Sequence, residues 1–257
     1  MSVKSLPDPK DHSIDDHSCD KCPYSEICLP GKNSTPSDLS ALSNIIDKRR
    51  GLNKGDILYK AGDPLLRLYA IKSGSLKIYS LSQAGDEQIT GFSISGEIVG
   101  FDAIFEKKHK SFAQALENTA ICEIDYAQLS RALYRHQEMN MRFMRLMSQE
   151  ISVKKELLMM ISRETAPQRL ASFLLHLSEA QERRNLSPDQ IKLTMTRYEI
   201  GNCISLSVET ISRLFSRLHD AGIITVRGRY ITILDQTMLR DVKNGNLCQA
   251  AKSENTP

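Results

Sequence analysis

Hydrophobic and polar positions change their period along the 257-residue chain. Leu39, Leu42, Ile45 and Ile46, behind Ser37 as N-cap, predict a short helix. Beyond it, short runs alternate, as in Leu76-Lys77-Ile78-Tyr79 and Ala120-Ile121-Cys122-Glu123-Ile124. Alternation puts successive side chains on opposite faces of a strand. Eight of the thirteen glycines lie between Gly51 and Gly100, and turn signals such as Ala61-Gly62-Asp63-Pro64, Ser73-Gly74 and Ala84-Gly85-Asp86 separate the runs. Short strands with regular turns predict a compact antiparallel barrel or roll.

Glycine is absent from 101 to 200, and the period there becomes helical. Residues 137–163 read as one long helix. Met144, Met147, Ile151, Lys154, Leu158 and Ile161 are spaced alternately by three and four, a heptad seam. Such a stripe packs either on the chain's own core or on a partner helix. Its narrowness, with Arg142, Arg145, Gln149 and Lys155 on the opposite face, favours a dimer. Pro167 breaks the pattern, and a new helix is expected over Gln168–Glu182. Two short helices follow, Thr196–Ser205 and Val208–Asp220, then a hairpin over Ile223–Leu234 with Arg227-Gly228-Arg229 at its centre. Residues 240–257 are polar and read as frayed, and residues 1–18 as a disordered arm.

The two short helices have helix-turn-helix spacing. Ser207 is a good N-cap for the second, which is apolar at Val208, Ile211, Leu214, Phe215 and Leu218. Glu209, Ser212 and Arg213 share one face in its first two turns, the part of a recognition helix that meets base edges. Arginine pairs with guanine through two hydrogen bonds, glutamate accepts from cytosine, and serine serves either strand. The net charge is only +3, so any basic surface must be local. Residues 207–230 hold four Arg against one Glu and one Asp, an excess that fits phosphate contact. The plainer alternative is a small helical bundle for protein contacts.

The longest apolar run, Leu157 to Ile161, is five residues, far short of a membrane span, and the polar N-terminus does not read as a signal peptide. A cytoplasmic location is expected, where thiols stay reduced. Cys19, Cys22 and Cys28 then stand out as three thiols in ten residues. Three thiolates on one loop suit an iron–sulfur cluster or zinc, with a fourth ligand from elsewhere. Cys122, on a predicted strand and read as inward-facing, is a candidate, with a plain core cysteine as rival. Cys203 reads as a core residue and Cys248 as incidental. No nucleophile–base pair or phosphate-binding loop points to an enzyme.

Several segments carry a resemblance to a known family: the four cysteines Cys19, Cys22, Cys28 and Cys122, GDEQITGF at 85–92, VGFDAI at 99–104, SFAQALE at 111–117, MRLMS at 144–148, LTMTR at 193–197 and VETISR at 208–213. Over roughly 19–235 the chain resembles the CRP/FNR superfamily of bacterial regulators, and within it the oxygen-responsive FNR-like branch. The resemblance implies an α+β chain. An arm over 1–18 would precede a cysteine loop and antiparallel, cupin-like β-roll sensor over 19–136. A dimerisation helix over 137–163, a winged helix-turn-helix over 164–235 and a tail over 236–257 would follow.

It implies that Cys19, Cys22, Cys28 and Cys122 ligate one 4Fe–4S cluster per subunit. Glu209, Ser212 and Arg213 would read half-sites of a TTGAT-N4-ATCAA-like palindrome in double-stranded DNA. Met144, Met147, Ile151, Lys154, Leu158 and Ile161 would form the homodimer seam, and the loop at Gly85 and Asp86 would contact RNA polymerase. The expected activity is oxygen-responsive activation or repression of genes for anaerobic metabolism. The alternative is a regulator of the same superfamily sensing through zinc, thiol redox or a small effector.

The nucleotide-binding branch holds phosphate with an Arg-Ser pair. Gapless counting back from Cys122 puts Phe112 and Ala113 there, which removes the main bidentate partner. The chain departs from the FNR-like pattern at Lys154, commonly acidic, and at Cys203, commonly Tyr. Two Lys154 side chains facing each other across a parallel seam would weaken the pair, so a marginal dimer is expected.

Overall fold

The computed structural model describes Cys22, Cys28 and residues 45–246. The predicted arm, Cys19, most of the helix behind Ser37 and Cys248 lie outside the described residues. Two compact units divide between Gln149 and Glu150.

Among the described residues, the first unit carries eight strands: β1 (Ile46–Leu52), β2 (Ile57–Tyr59), β3 (Arg67–Ser73), β4 (Ser75–Leu81), β5 (Glu87–Ile94), β6 (Ile98–Val99), β7 (Phe112–Ala115) and β8 (Thr119–Asp125). Ile46 therefore opens a strand rather than closing a helix. The strands form two four-stranded antiparallel sheets, ordered β1-β8-β3-β6 and β2-β7-β4-β5. Between them lies an apolar interior of Leu52, Leu58, Tyr59, Ile71, Leu76, Val99, Ala113, Ala115 and Ile121. This is the predicted roll.

Helices α1 (Tyr126–Arg135) and α2 (Gln137–Arg163) follow. Asp125 caps α1 by accepting from the Gln128 N–H at 2.7 Å. Leu129 and Ala132 of α1 and Met139 and Phe143 of α2 pack on Leu68, Ala70, Ile98 and Ile124, making a second core outside the roll. The β1-β8-β3-β6 sheet is thus covered on both faces, which simple in-and-out alternation does not anticipate. Cys122 and Ile124 face this second core, whereas Ile121 faces the roll interior. The reading of Cys122 as inward and Glu123 as outward is corrected accordingly. Glu123 is itself buried and meets the Arg67 guanidinium at 3.2 Å. Lys77, expected to point outward, is also buried; its ammonium pairs with Glu87 at 2.8 Å and lies over the Tyr79 ring.

The second unit contains α3 (Ala166–Arg183), β9 (Gln190–Lys192), α4 (Arg197–Ile204), α5 (Val208–Asp220), β10 (Ile224–Arg227), β11 (Tyr230–Ile233) and α6 (Gln236–Lys243), with sheet order β10-β11-β9. Pro167 sits in the first turn of α3 and does not precede it, because proline lacks only an N–H that a first turn leaves unpaired anyway. Residues 240–243 are helical, not frayed. Asp235 caps α6, and Leu239 and Val242 are buried as the helix packs on α3. Gln236 Nε2 donates to Ser178 Oγ at 2.9 Å and to Asp189 Oδ1 at 3.0 Å.

Candidate functional site

The helix-turn-helix is built from local sequence. Thr196 and Glu199 form a reciprocal capping box at the start of α4. Ser205 takes a left-handed conformation, and the Leu206 N–H returns to the Gly201 carbonyl at 2.8 Å. A Cβ on Gly201 would stand 2.4 Å from the Leu206 carbonyl oxygen, so the turn closes only on glycine. Ser207 Oγ accepts from the Thr210 N–H at 3.2 Å and starts α5, whose Ile211, Leu214, Phe215 and Leu218 are buried.

Burying those four leaves Glu209, Ser212 and Arg213 exposed on the other side. Its own N–H and the Ser207 side chain hold the Glu209 carboxyl below the usual range, with Arg213 adding to the effect. Ser212 Oγ turns back to the Val208 carbonyl at 2.9 Å. Arg227 pairs with Tyr230 across the β10–β11 turn, leaving Gly228 and Arg229 as an exposed tip. Arg197, not singled out from the sequence, lies flat over the Phe215 ring at 3.4 Å and fastens α4 to α5. Cys203 is buried in α4, and burial pushes its thiol up to about 12. That is the inert core residue expected.

The cysteine region is assembled from distant segments. Cys22, Cys28 and Cys122 are each half-buried. Cys28 and Cys122 pack against the same core cluster, together with Phe101, Ile104, Leu146 and Met147. Phe101 meets Phe143 of α2 edge-on, with centroids 5.8 Å apart. Among the described residues, no three His, Cys, Asp or Glu side chains stand close enough to hold a metal ion. With Cys19 outside the described residues, the four-thiol set is only partly in view. The donor chemistry present, the soft sulfurs of Cys28 and Cys122 packed on one apolar cluster, fits an iron–sulfur cluster.

Arg142 lies on the face of α2 opposite the exposed stripe, as its spacing implies, but it is half-buried there and its Nε donates to the Cys28 carbonyl at 3.2 Å. Burial holds its pKa below the usual arginine value, partly offset by Cys28. Of the seam residues, Met144, Ile151 and Leu158 are exposed at 56%, 66% and 66%, and Lys154 is exposed too. Met147 is half-buried against the second core, and Ile161 is half-buried. Lys154 pairs with Glu150 one turn away at 3.4 Å, which offsets the bare like-charge contact expected of it.

Gly85 and Asp86 lie on the exposed β4–β5 loop, where Ser82 Oγ accepts from the Ala84 and Asp86 N–H groups at 3.2 and 3.1 Å. Ala113 is fully buried in the roll interior, whereas Phe112, on the other face of its strand, stacks on Tyr79 at 5.1 Å.

Residues 49–136 match the family of cyclic nucleotide-binding domains, and residues 168–242 that of Crp-like helix-turn-helix domains. The chain is 44% identical to the anaerobic regulatory protein of Pasteurella multocida, over 86% of this chain and 81% of that one. It is also 44% identical to the fumarate and nitrate reduction regulatory protein of Vibrio cholerae, over 87% and 89%. Identity to the Escherichia coli protein of the same name is again 44%, over 84% and 86%. Among solved structures, FixK2 from Bradyrhizobium japonicum superposes with a TM-score of 0.69 at 25% identity, covering 76% of this chain and 96% of that one. No helix among the described residues is long and apolar enough to cross a membrane.

Proposed function

The chain belongs to the CRP/FNR family of transcription regulators, and from that premise we propose that it is an oxygen-responsive member whose Cys19, Cys22, Cys28 and Cys122 hold one 4Fe–4S cluster per subunit. It is a regulator with a DNA-binding helix-turn-helix, not an enzyme. The observation that carries the oxygen reading is the meeting of Cys28 and Cys122 on one core cluster that also receives α2. The names of its relatives, anaerobic regulation and fumarate and nitrate reduction, point the same way.

A cluster held by the four thiolates would supply an oxidisable iron–sulfur centre. The chain does the rest. Cys28 and Cys122 fix the cysteine segment against the wall formed by Phe101, Phe143 and Met147. Helix α2 presents Met144, Ile151 and Leu158 to a second copy, and exposed apolar side chains at heptad spacing are what a parallel pair buries. Pairing brings two α5 helices to successive major grooves, so the half-sites of a TTGAT-N4-ATCAA-like palindrome have centres about 10 base pairs apart. Arg213 pairs with guanine, Glu209 with cytosine and Ser212 with a neighbouring base, while Arg227 and Arg229 meet phosphates. The exposed Gly85–Asp86 loop, rigidified by Ser82, is the surface offered to RNA polymerase.

A gel-shift titration of that palindrome tests the reading. Anaerobic protein binds it in the nanomolar range, about 10⁻⁸ M or tighter, and air weakens binding to the non-specific level. Equal affinity with and without air contradicts it.

A further inference from the structure

The second core has a polar member that packing alone does not explain. Met139, Phe143, Leu146 and Met147 turn one side of α2 toward the cluster that receives Cys28 and Cys122. Arg142 lies within that run, one turn from both Met139 and Leu146. A guanidinium gives up solvent only against compensating hydrogen bonds. Arg142 has one from Nε to the Cys28 carbonyl at 3.2 Å. The opposite side of the same helix exposes Met144, Ile151 and Leu158, each between 160° and 200° around the helix axis from Arg142 at about 100° per residue. One side of α2 thus touches a cysteine, and the other carries the apolar stripe.

We propose that Arg142 is the positioning residue through which the cysteine segment reports to α2, by holding the Cys28 peptide onto the face of the helix opposite its exposed stripe. The contact is to a main-chain carbonyl, so it senses where the Cys28 peptide sits and not the chemistry of its sulfur. When the thiols gather around one centre, the position of that peptide becomes fixed relative to Cys122. Arg142 then has a fixed anchor, and the rotation of α2 about its axis is fixed with it. Without the anchor, packing of Met139 and Phe143 alone sets the helix. The role in signalling rests on the cluster reading above; the tether does not.

Amide hydrogen exchange on the full-length, reduced, metal-free chain tests the tether by itself. In Arg142→Gln, the main chain at Cys28 is released from α2, and the peptide containing it exchanges about tenfold faster. In Arg142→Lys, whose ammonium reaches the same carbonyl, most of the protection returns. The α4 peptide with buried Cys203 exchanges at the wild-type rate in both. Wild-type exchange around Cys28 in Arg142→Gln overturns the proposal. If Arg142→Gln also loosens α4, Arg142→Lys decides. Wild-type protection around Cys28 then supports the tether, and fast exchange there with α4 intact overturns it.

Sedimentation of the iron-loaded anaerobic protein tests the signalling. Arg142→Gln with wild-type iron content dimerises about tenfold more weakly, and undiminished dimerisation overturns the role given to Arg142. A wild type that holds no iron defeats the cluster reading alone, and hydrogen exchange still decides the tether.

Discussion

The recognition helix and the cysteine region differ in how their geometry is made. Most of what aims Glu209, Ser212 and Arg213 lies between Thr196 and Leu218: two capped helices, a turn closed on Gly201 and four buried apolar side chains, with Arg169 of α3 adding hydrogen bonds to the Ile204 and Ser205 carbonyls. Cys28 and Cys122 come together only because a strand, two helices and a loop share one apolar cluster. A motif built mostly from neighbouring residues needs few long-range contacts to keep its shape. A site assembled from distant segments depends on its weakest tether, which makes it a natural place for a signal to act. On the proposed function, the chain pairs a locally built reader with a sensor assembled from distant segments.

Substitution should separate the two. The largest effect belongs to Cys122→Ser, which removes one of four thiolates. Iron and sulfide per chain should fall to near zero, while α5 and the β10–β11 hairpin keep wild-type hydrogen exchange. Joint loss of structure in both units would erase the contrast. Next comes Gly201→Val, where a side chain meets the Leu206 carbonyl. It should destabilise the second unit by about 3 kcal/mol in urea titration while iron content is unchanged.

Arg213→Ala should cost about 1–3 kcal/mol in binding to the palindrome and relax base preference at one position. Arg229→Ala should instead weaken all sequences alike and reduce the salt slope by about one. If Arg229→Ala changes base preference, the division between reading and anchoring fails.

The smallest effect concerns His176 on α3. Burial, with Arg183 and Lys154 adding to it against Glu179 and Glu156, holds its imidazole neutral and its pKa below the ordinary histidine value. A depressed pKa gives stability that is complete above the ordinary value and is lost as pH falls through the window below it. Thermal melts of the second unit should fall between about pH 6.5 and the acid side of that window, and His176→Gln should flatten the fall.

Much of this was legible in the sequence, and the reasons divide along the same line. The caps at Thr196 and Ser207, the apolar spacing of α5 and the turn at Gly228 are short-range signals, so the reader emerged almost complete. The long helix emerged too, because its period runs unbroken over 137–163. Alternation held at Lys77, which lies on the sheet face away from Leu76 and Ile78, although its pairing with Glu87 leaves it buried. Alternation failed at Glu123, a buried ion-paired residue, since a charged side chain looks solvated in sequence. It failed at Cys122 because its sheet is covered on both faces. The spacing put Arg142 on the correct face of α2, but only the fold brings the Cys28 carbonyl to it. Helix α6 was hidden by a polar composition, although Asp235 as cap and Leu239 and Val242 one turn apart were its signal.

The most direct measurement follows iron, sulfide and oligomeric state together on protein purified without oxygen, before and after air is admitted. The account predicts about four irons and four sulfides per chain, a dimer, and decay to monomer as the iron is lost. A chain that carries zinc or no metal, or that keeps its oligomeric state while its iron is lost in air, would contradict it.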